Sequence, residues 1–228
     1  MTAQIDHLVV GAASLDEGVD WCQRTLGITP GPGGEHPLMG THNRLFSIAS
    51  AQYPKAYVEI IAIHSGAACA RFKGAKRWFD LDNPALQHQL KQNGPQLIHF
   101  VASTNRASAA VVALSQLGID RGELLQASRM TEQGKLAWSI SVRADGQRLM
   151  NGALPTLIEW GDVHPTDTLA ASGVTLQSLH AADVPSDALR AAYEAMGLTN
   201  VNVLEGRPNL VAVLQTPHGL VTLESGGH

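Results

Sequence analysis

An α+β fold made of repeated βαβββ modules is what this chain of 228 residues predicts, with one curved mixed sheet and the helices on its outer face. Three observations carry that reading. A helix stop recurs, as "LGI" at 26–28, again at 117–119, and in muted form as "MGL" at 196–198. Each stop closes a helical pattern that follows an apolar run, and further strand-like runs come after it. The last strand of every module carries one glutamate: Glu59, Glu159 and Glu224.

The first module opens with a strand over 5–11. A helix over 14–26 follows, with Ser14 and Glu17 as a capping box, an apolar stripe of Leu15, Val19, Cys22 and Leu26, and Gly27 as the left-handed stop. Cys22 on that stripe is a packing residue. "GPGGEHPLMG" at 31–40 does not join a strand to a helix, so it is a turn near the mouth of the sheet, and His36 in it is expected in solvent. "THNRLFSIA" is a strand, and "AYVEIIAI" at 56–63 ends the module. The long connection 64–96 includes "RFKGAKRWFDLD" at 71–82, expected to pack on the sheet as a wall. The second module runs through "LIHFVAS", the helix "RASAAVVALSQ" and strands over 123–130, 136–143 and 154–161, with "EQGK" at 132–135 as a hairpin turn. The third has "VTLQSLHA", the helix "SDALRAAYEA" and strands over 200–204, 210–215 and 219–224. A boundary is expected in "GDVHPTDTLAASG" at 161–173. Residues 1–165 then hold the paired modules. Residues 166–228 hold a structural third unit that extends the sheet or meets a second copy in a homodimer.

Composition narrows the partners. Sixteen basic and twenty acidic residues, with no long run of either sign, argue against nucleic acid or an anionic membrane surface. The N-terminus lacks signal-peptide features, and no apolar run approaches the length needed to span a bilayer. Two cysteines, Cys22 and Cys69, make no disulfide framework, so a cytoplasmic protein acting on a small molecule is expected.

The helix stop also serves as a ruler. Gly27 lies 20 residues after His7, Gly118 lies 19 after His99, and Gly197 lies 20 after Gln177. His7 and His99 therefore hold matching strand positions, with Gln177 in the third module. Leu8 and Val10 suit packing under a helix, which turns His7 toward the concave face. Glu59 shares a face with Tyr57 and Ile61, and Glu159 with Leu157. A carboxylate on a buried strand is costly unless paired or bound to a metal, and neither strand carries a lysine or arginine. His7, Glu59, His99 and Glu159 thus form a candidate ligand set for one divalent ion: nickel, cobalt, manganese, zinc or iron. Gln177 and Glu224 alone make a poor site.

The βαβββ repeat with His on a first strand and Glu on a last strand resembles the vicinal-oxygen-chelate superfamily, which includes glyoxalase I. "GGEHPLMGTHNRLFSIA", "AYVEIIAI", "RWFDLD" and "MTEQGKLAWSI" are similar to the bacterial glyoxalase-like domain proteins, over most of residues 4–162. The resemblance implies a cup between paired modules around a metal that binds adjacent substrate oxygens. It implies His7, Glu59, His99 and Glu159 as the ligands, by match to the glyoxalase I pattern.

Three functions follow from these residues. The first is a metal-dependent lyase, isomerase or epimerase that forms an enediolate, with Glu159 or Glu59 as general base. His42 and Arg44, if they face the cup, would bind substrate, Arg44 as a carboxylate or phosphate clamp and Arg129 in the same role. The second is an Fe(II) ring-cleaving dioxygenase using His7, His99 and Glu159. The third is a metal-free drug-binding module in which Glu59 and Glu159 attract a basic ligand.

Overall fold

The structure, a computed structural model, describes residues 2–131 and 134–227. Glu132 and Gln133 of the expected hairpin turn lie outside the described residues. Module one consists of β1 (Ala3–Gly11), α1 (Leu15–Leu26), β2 (Glu35–His36), β3 (Thr41–Ser47) and β4 (Tyr57–Ile63). After α2 (Pro84–Asn93), module two consists of β5 (Gln96–Thr104), α3 (Ala107–Gln116), β6 (Glu123–Thr131), β7 (Gly134–Val142) and β8 (Thr156–Trp160). The third unit is β9 (Thr175–Asp183), α4 (Asp187–Met196), β10 (Asn202–Glu205), β11 (Asn209–Thr216) and β12 (Gly219–Glu224).

Local signals explain the helix ends. Ser14 Oγ accepts the Glu17 N–H at 3.2 Å, and Gly27 ends α1 at φ 72°. Gly18 costs α1 some helix propensity, but a Cβ there would sit 2.5 Å from the Ile60 side chain, so glycine is what lets α1 lie against β4. Helix α2, unread in the sequence, starts at Asn83, whose side chain accepts the Ala85 N–H, with Pro84 in the first turn.

The two modules form one sheet in the order β2-β3-β4-β1-β5-β8-β7-β6, joined by antiparallel pairing of β1 and β5. Within each module the first strand pairs in parallel with the last. The third unit repeats the element order but not the pairing: its sheet runs β10-β9-β11-β12, with β9 between β10 and β11. Glu224 therefore lies on an edge strand opposite Val211, and Gln177 is exposed. Neither occupies a position equivalent to the ligand candidates of the first two modules.

Alternation along the strands separates two cores. Leu8, Val10, Ile60, Phe100 and Leu157 face outward and pack with Cys22 and Leu26 of α1, Leu114 of α3, and Leu179 and Leu210 of the third unit. Val9, Ile61, Val101 and Ile158 face the concave side, where Trp78, Phe79, Leu81, Leu86 and Leu90 of the connection pack on them. The connection is thus the expected wall and also a plug for one half of the cup. Several of its charges are used internally: Arg77 pairs with Asp82 at 2.5 Å, Asp80 with Arg148 at 3.0 Å, and Arg71 donates to the Val142 and Arg143 carbonyls. No helix among the described residues is long and apolar enough to cross a membrane.

Candidate functional site

A bulge in β1 builds the innermost part of the cup. Ile5 pairs with Ala102 and His7 with Val101, which leaves Asp6 outside the ladder. Ile5 joins the outer core, and Asp6 comes to lie beside His7 instead of beneath the helices. Asp6 is fully buried and accepts from His7 Nδ1 at 2.7 Å, Trp160 Nε1 at 2.9 Å and His164 Nε2 at 3.1 Å. Burial alone would raise its pKa, but the histidine donors outweigh that and hold it well below the usual carboxylate range. Burial would lower the His7 pKa, yet the Asp6 and Glu59 carboxylates raise it to about 9. The His7 ring stacks on Tyr57 with centroids 4.5 Å apart.

The other His7 nitrogen, Nε2, faces Glu59 Oε2 at 3.6 Å, an ion pair longer than a hydrogen bond. Glu59 is 5% exposed, and its Oε1 accepts from Asn43 Nδ2 at 2.6 Å. Against the opposing effect of burial, His7, His36 and Asn43 keep the Glu59 pKa below its ordinary value. His36 Nε2 lies 3.9 Å from Glu59 Oε1, and its Nδ1 bonds Thr41 Oγ1 at 3.1 Å. Burial lowers the His36 pKa to about 4. The expectation of a solvated loop histidine is therefore corrected: pairing of β2 with β3 turns His36 inward against Trp78.

Module two does not repeat this arrangement. In β4, Glu59 stands opposite Val9; in β8, the residue opposite the matching Val101 is Thr156. Glu159 lies three residues further on, an odd step, so it points to the outer face with Leu157. There its Oε2 accepts the Ala107 N–H at 2.9 Å, at the start of α3, a helix whose own cap residue makes no side-chain bond. Glu159→Ala is expected to cost about 1 kcal/mol by the loss of this helix-end carboxylate. Urea denaturation checks it, and a loss above about 3 kcal/mol would mean a larger role than this.

His99 is 0% exposed and internally satisfied. Its Nδ1 donates to the Gly152 carbonyl at 2.9 Å, and its Nε2 accepts the Thr156 N–H at 3.1 Å. Burial, with Arg121 and Arg148 nearby, holds its pKa well below the ordinary value. The buried Arg121 guanidinium donates to Thr156 Oγ1 and to the Pro155 carbonyl, so the chain sets its own cation beside His99.

A divalent ion held by His7, Glu59, His99 and Glu159 does not fit these positions. Glu159 is on the other face, and the His99 lone pair is taken by a backbone donor. At the His7 end, the Asn43 amide nitrogen lies 2.6 Å from Glu59 Oε1 and 3.4 Å from His36 Nε2, in the gap a bridging cation would need. The Gly34 N–H on Asn43 Oδ1, at 2.7 Å, fixes that amide orientation. Among the described residues, no group of three or more His, Cys, Asp or Glu is arranged to hold a metal ion. The Fe(II) set of His7, His99 and Glu159 separates for the same reasons, and so does the paired-glutamate cleft for a basic drug.

His42 and Arg44 also face outward. Phe46, on the same strand face, is buried in the outer core; His42 stacks on His64 at 4.8 Å, and Arg44 is exposed. Asn43 and Leu45 face the cup instead. Of the expected substrate-binding residues, Arg129 is the one the structure brings there. It lines a cavity of about 1330 Å³ and also an adjoining recess of about 30 Å³ that contains His7, His36 and Glu59. Gly34 has no side chain to block it: a Cβ there would overlap the Arg129 guanidinium. Arg129 Nε and Nη1 are buried with no hydrogen-bond partner, as is Nε1 of Trp78 in the same wall.

The description "glyoxalase-like domain" belongs to the family whose pattern matches residues 5–197. Among solved structures, a hypothetical protein from Staphylococcus aureus superposes over 98% of this chain and 85% of its own, at 14% identity and a TM-score of 0.59. A methylmalonyl-CoA epimerase in complex with methylmalonyl-CoA and NH4+ aligns over 72% of this chain and 99% of its own, at 16% identity and a TM-score of 0.45. No curated protein matches the chain.

Proposed function

Because this chain belongs to the glyoxalase-like domain family of the vicinal-oxygen-chelate superfamily, we propose that its cup is an enzyme site that moves a proton on a carbon of an anionic substrate. The observation that carries this reading is the pair of buried, unpartnered Arg129 donors, Nε and Nη1, in a wall shared with Glu59. Buried N–H donors without a partner are costly, and an incoming carboxylate relieves that cost with charge-assisted hydrogen bonds. The recess beside Glu59 has room for a single small group, such as a carbonyl oxygen or a methyl.

Glu59, ionised, takes the proton from the carbon next to a substrate carbonyl. The electron pair of that C–H bond moves into the carbonyl, and the new enolate oxygen accepts a hydrogen bond from His7 Nε2–H. Asp6, on Nδ1, holds His7 in its imidazolium form at neutral pH and fixes the ring. Return of the proton from Glu59 gives the isomer or the exchanged substrate. A carboxylate of lowered pKa is a weak base, so the step depends on stabilising the enolate, which the His7 and Arg129 charges supply. Every step is carried by side chains of this chain, since the donors among its described residues do not assemble a cation site.

The test is hydrogen–deuterium exchange in heavy water, followed by proton NMR over a panel of small 2-oxo acids, 2-hydroxy ketones and branched acyl thioesters. The wild type is expected to exchange a carbon-bound proton of at least one of them, and Glu59→Gln to slow that exchange roughly a thousandfold. Exchange undiminished in Glu59→Gln, or absent across the panel, overturns the reading.

A further inference from the structure

We propose that the ligand of this cup is an amphiphile with one anionic head and an unbranched apolar chain, the head against Arg129 and the chain lying along the outer cavity toward its mouth. The inference rests on the function proposed above only for the position of the head. It deepens that reading by naming the substrate class.

The size of the space is the first argument. A cavity of about 1330 Å³ exceeds the ~300–1,000 Å³ that typically encloses a drug-sized ligand, whereas the recess at Glu59 admits one small group. A compact keto acid would fill the recess and leave the larger chamber to water. Something extended must share both.

The second argument is charge. Among the described residues of the large cavity, Arg129 and the exposed Glu35 are the formally charged ones; neither a lysine nor an aspartate joins them. A nucleotide-bearing thioester presents several phosphates and would find one guanidinium inside. A monocarboxylate matches that single cation and can accept from its buried, unpartnered N–H donors.

The third argument is the character of the walls. Leu38, Met39, Leu45, Leu136 and Trp138 line the chamber, from loop 31–40 on one side to the β6–β7 hairpin on the other. At the outer end Leu38 is 46% exposed and Met130 is 76% exposed, two large apolar side chains that extend the apolar lining to the surface. Polar groups that need a partner sit at the inner end, and apolar surface runs outward from them. That polarity is the complement of a head and a tail. Methionine at the mouth adapts to chains of different length.

The experiment is calorimetric titration of the whole chain with straight-chain monocarboxylates from butyrate to dodecanoate, beside the matched primary alcohols and an acyl-CoA thioester. The acid affinity is expected to rise about fourfold per added methylene, which is about 0.8 kcal/mol at 1.36 kcal/mol per tenfold. Each acid should bind at least about tenfold more tightly than its alcohol. Arg129→Gln should remove that acid preference and leave the chain-length slope, and Met130→Glu should flatten the slope for the longest chains. An affinity that does not depend on chain length overturns the proposal, as does tighter binding of the thioester than of any free acid. If Arg129→Gln does not fold, the wild-type acid and alcohol series decides the point by itself: equal affinities overturn the head-group assignment. The two readings fail separately. A flat series with Glu59-dependent deuterium exchange intact sinks the amphiphile alone, and a rising series without exchange sinks the proton transfer alone.

Discussion

Phe79→Ala is expected to destabilise the protein by about 4 kcal/mol, near the middle of the range for emptying a phenylalanine site. At about 3 °C per kcal/mol for a chain of this size, the melting temperature falls by roughly 12 °C. Phe79 is 3% exposed, stacks on Trp78 with centroids 5.2 Å apart, and lies 5.2 Å from the His99 ring. With Leu81, Leu86 and Leu90 it fills the concave side over module two, where collapse of rigid strands cannot close the gap. Its backbone is left-handed, φ 58°, as is that of Asp80, and the turn is held by the Asp80 N–H on the Gly146 carbonyl at 2.9 Å and by the Arg148–Asp80 pair. Alanine pays the same Cβ penalty in that conformation as phenylalanine, so the loss reports packing and not backbone strain. Phe79→Leu, which keeps most of the volume, should cost under about 1.5 kcal/mol. Denaturant melts of both variants check this. An alanine variant as stable as the leucine one would mean the plug contributes little.

The second large effect is a pH dependence that runs through Asp6. The folded pKa of His7 is raised to about 9 from 6.5, so its stabilising contribution is fully present below pH 6.5 and is lost as pH rises through 9. At 1.36 kcal/mol per unit, roughly 3 kcal/mol of stability disappears across that window. The other shifted groups act outside it. Cys22, pushed up to about 12 by burial, contributes stability that is lost only above its unfolded value of 9.0. His36, lowered to about 4, contributes stability present above 6.5 and lost as pH falls toward 4. The lowered pKa of Asp6 makes its own contribution present above 3.8 and lost in stronger acid. Asp6→Asn keeps the shape and removes the charge on His7 Nδ1, so the loss of stability between pH 6.5 and 9 should shrink to a fraction of the wild-type value. Asp6→Ala, which strips the partner from a buried charge, should cost about 3–5 kcal/mol near neutral pH. Urea titrations at the two ends of the window measure both, and identical slopes in wild type and Asp6→Asn would show that Asp6 does not hold the proton on His7.

Much of the site's geometry was legible, and the places where it was not share a cause. Phe46 beside His42 and Arg44 already marked that face as the apolar one, which leaves Asn43 and Leu45 for the cup. Leu157 beside Glu159 marked the helix side in the same way. Counting from His99 to a glutamate matched residue types, whereas the sheet matches positions: Val101 meets Thr156, and a slip of three residues turns a side chain to the opposite face. Asp6 carried a signal in "IDHL", a second ionisable group inside a buried strand, but strict alternation put it under the helices, and only the bulge reverses that.

The order of strands and helices apart from α2 and the short β2, the caps of α1, the repeated module and the concave placement of His7 and Glu59 were determined by the sequence alone. Each depends on contacts within a few residues or on the period of a single segment. Which carboxylate meets which histidine, the capture of His99 by Thr156 and Arg121, and the filling of half the cup by residues 78–90 were decided by tertiary structure. Those are pairings between distant segments, and in a sheet they turn on a register that only the assembled neighbours impose.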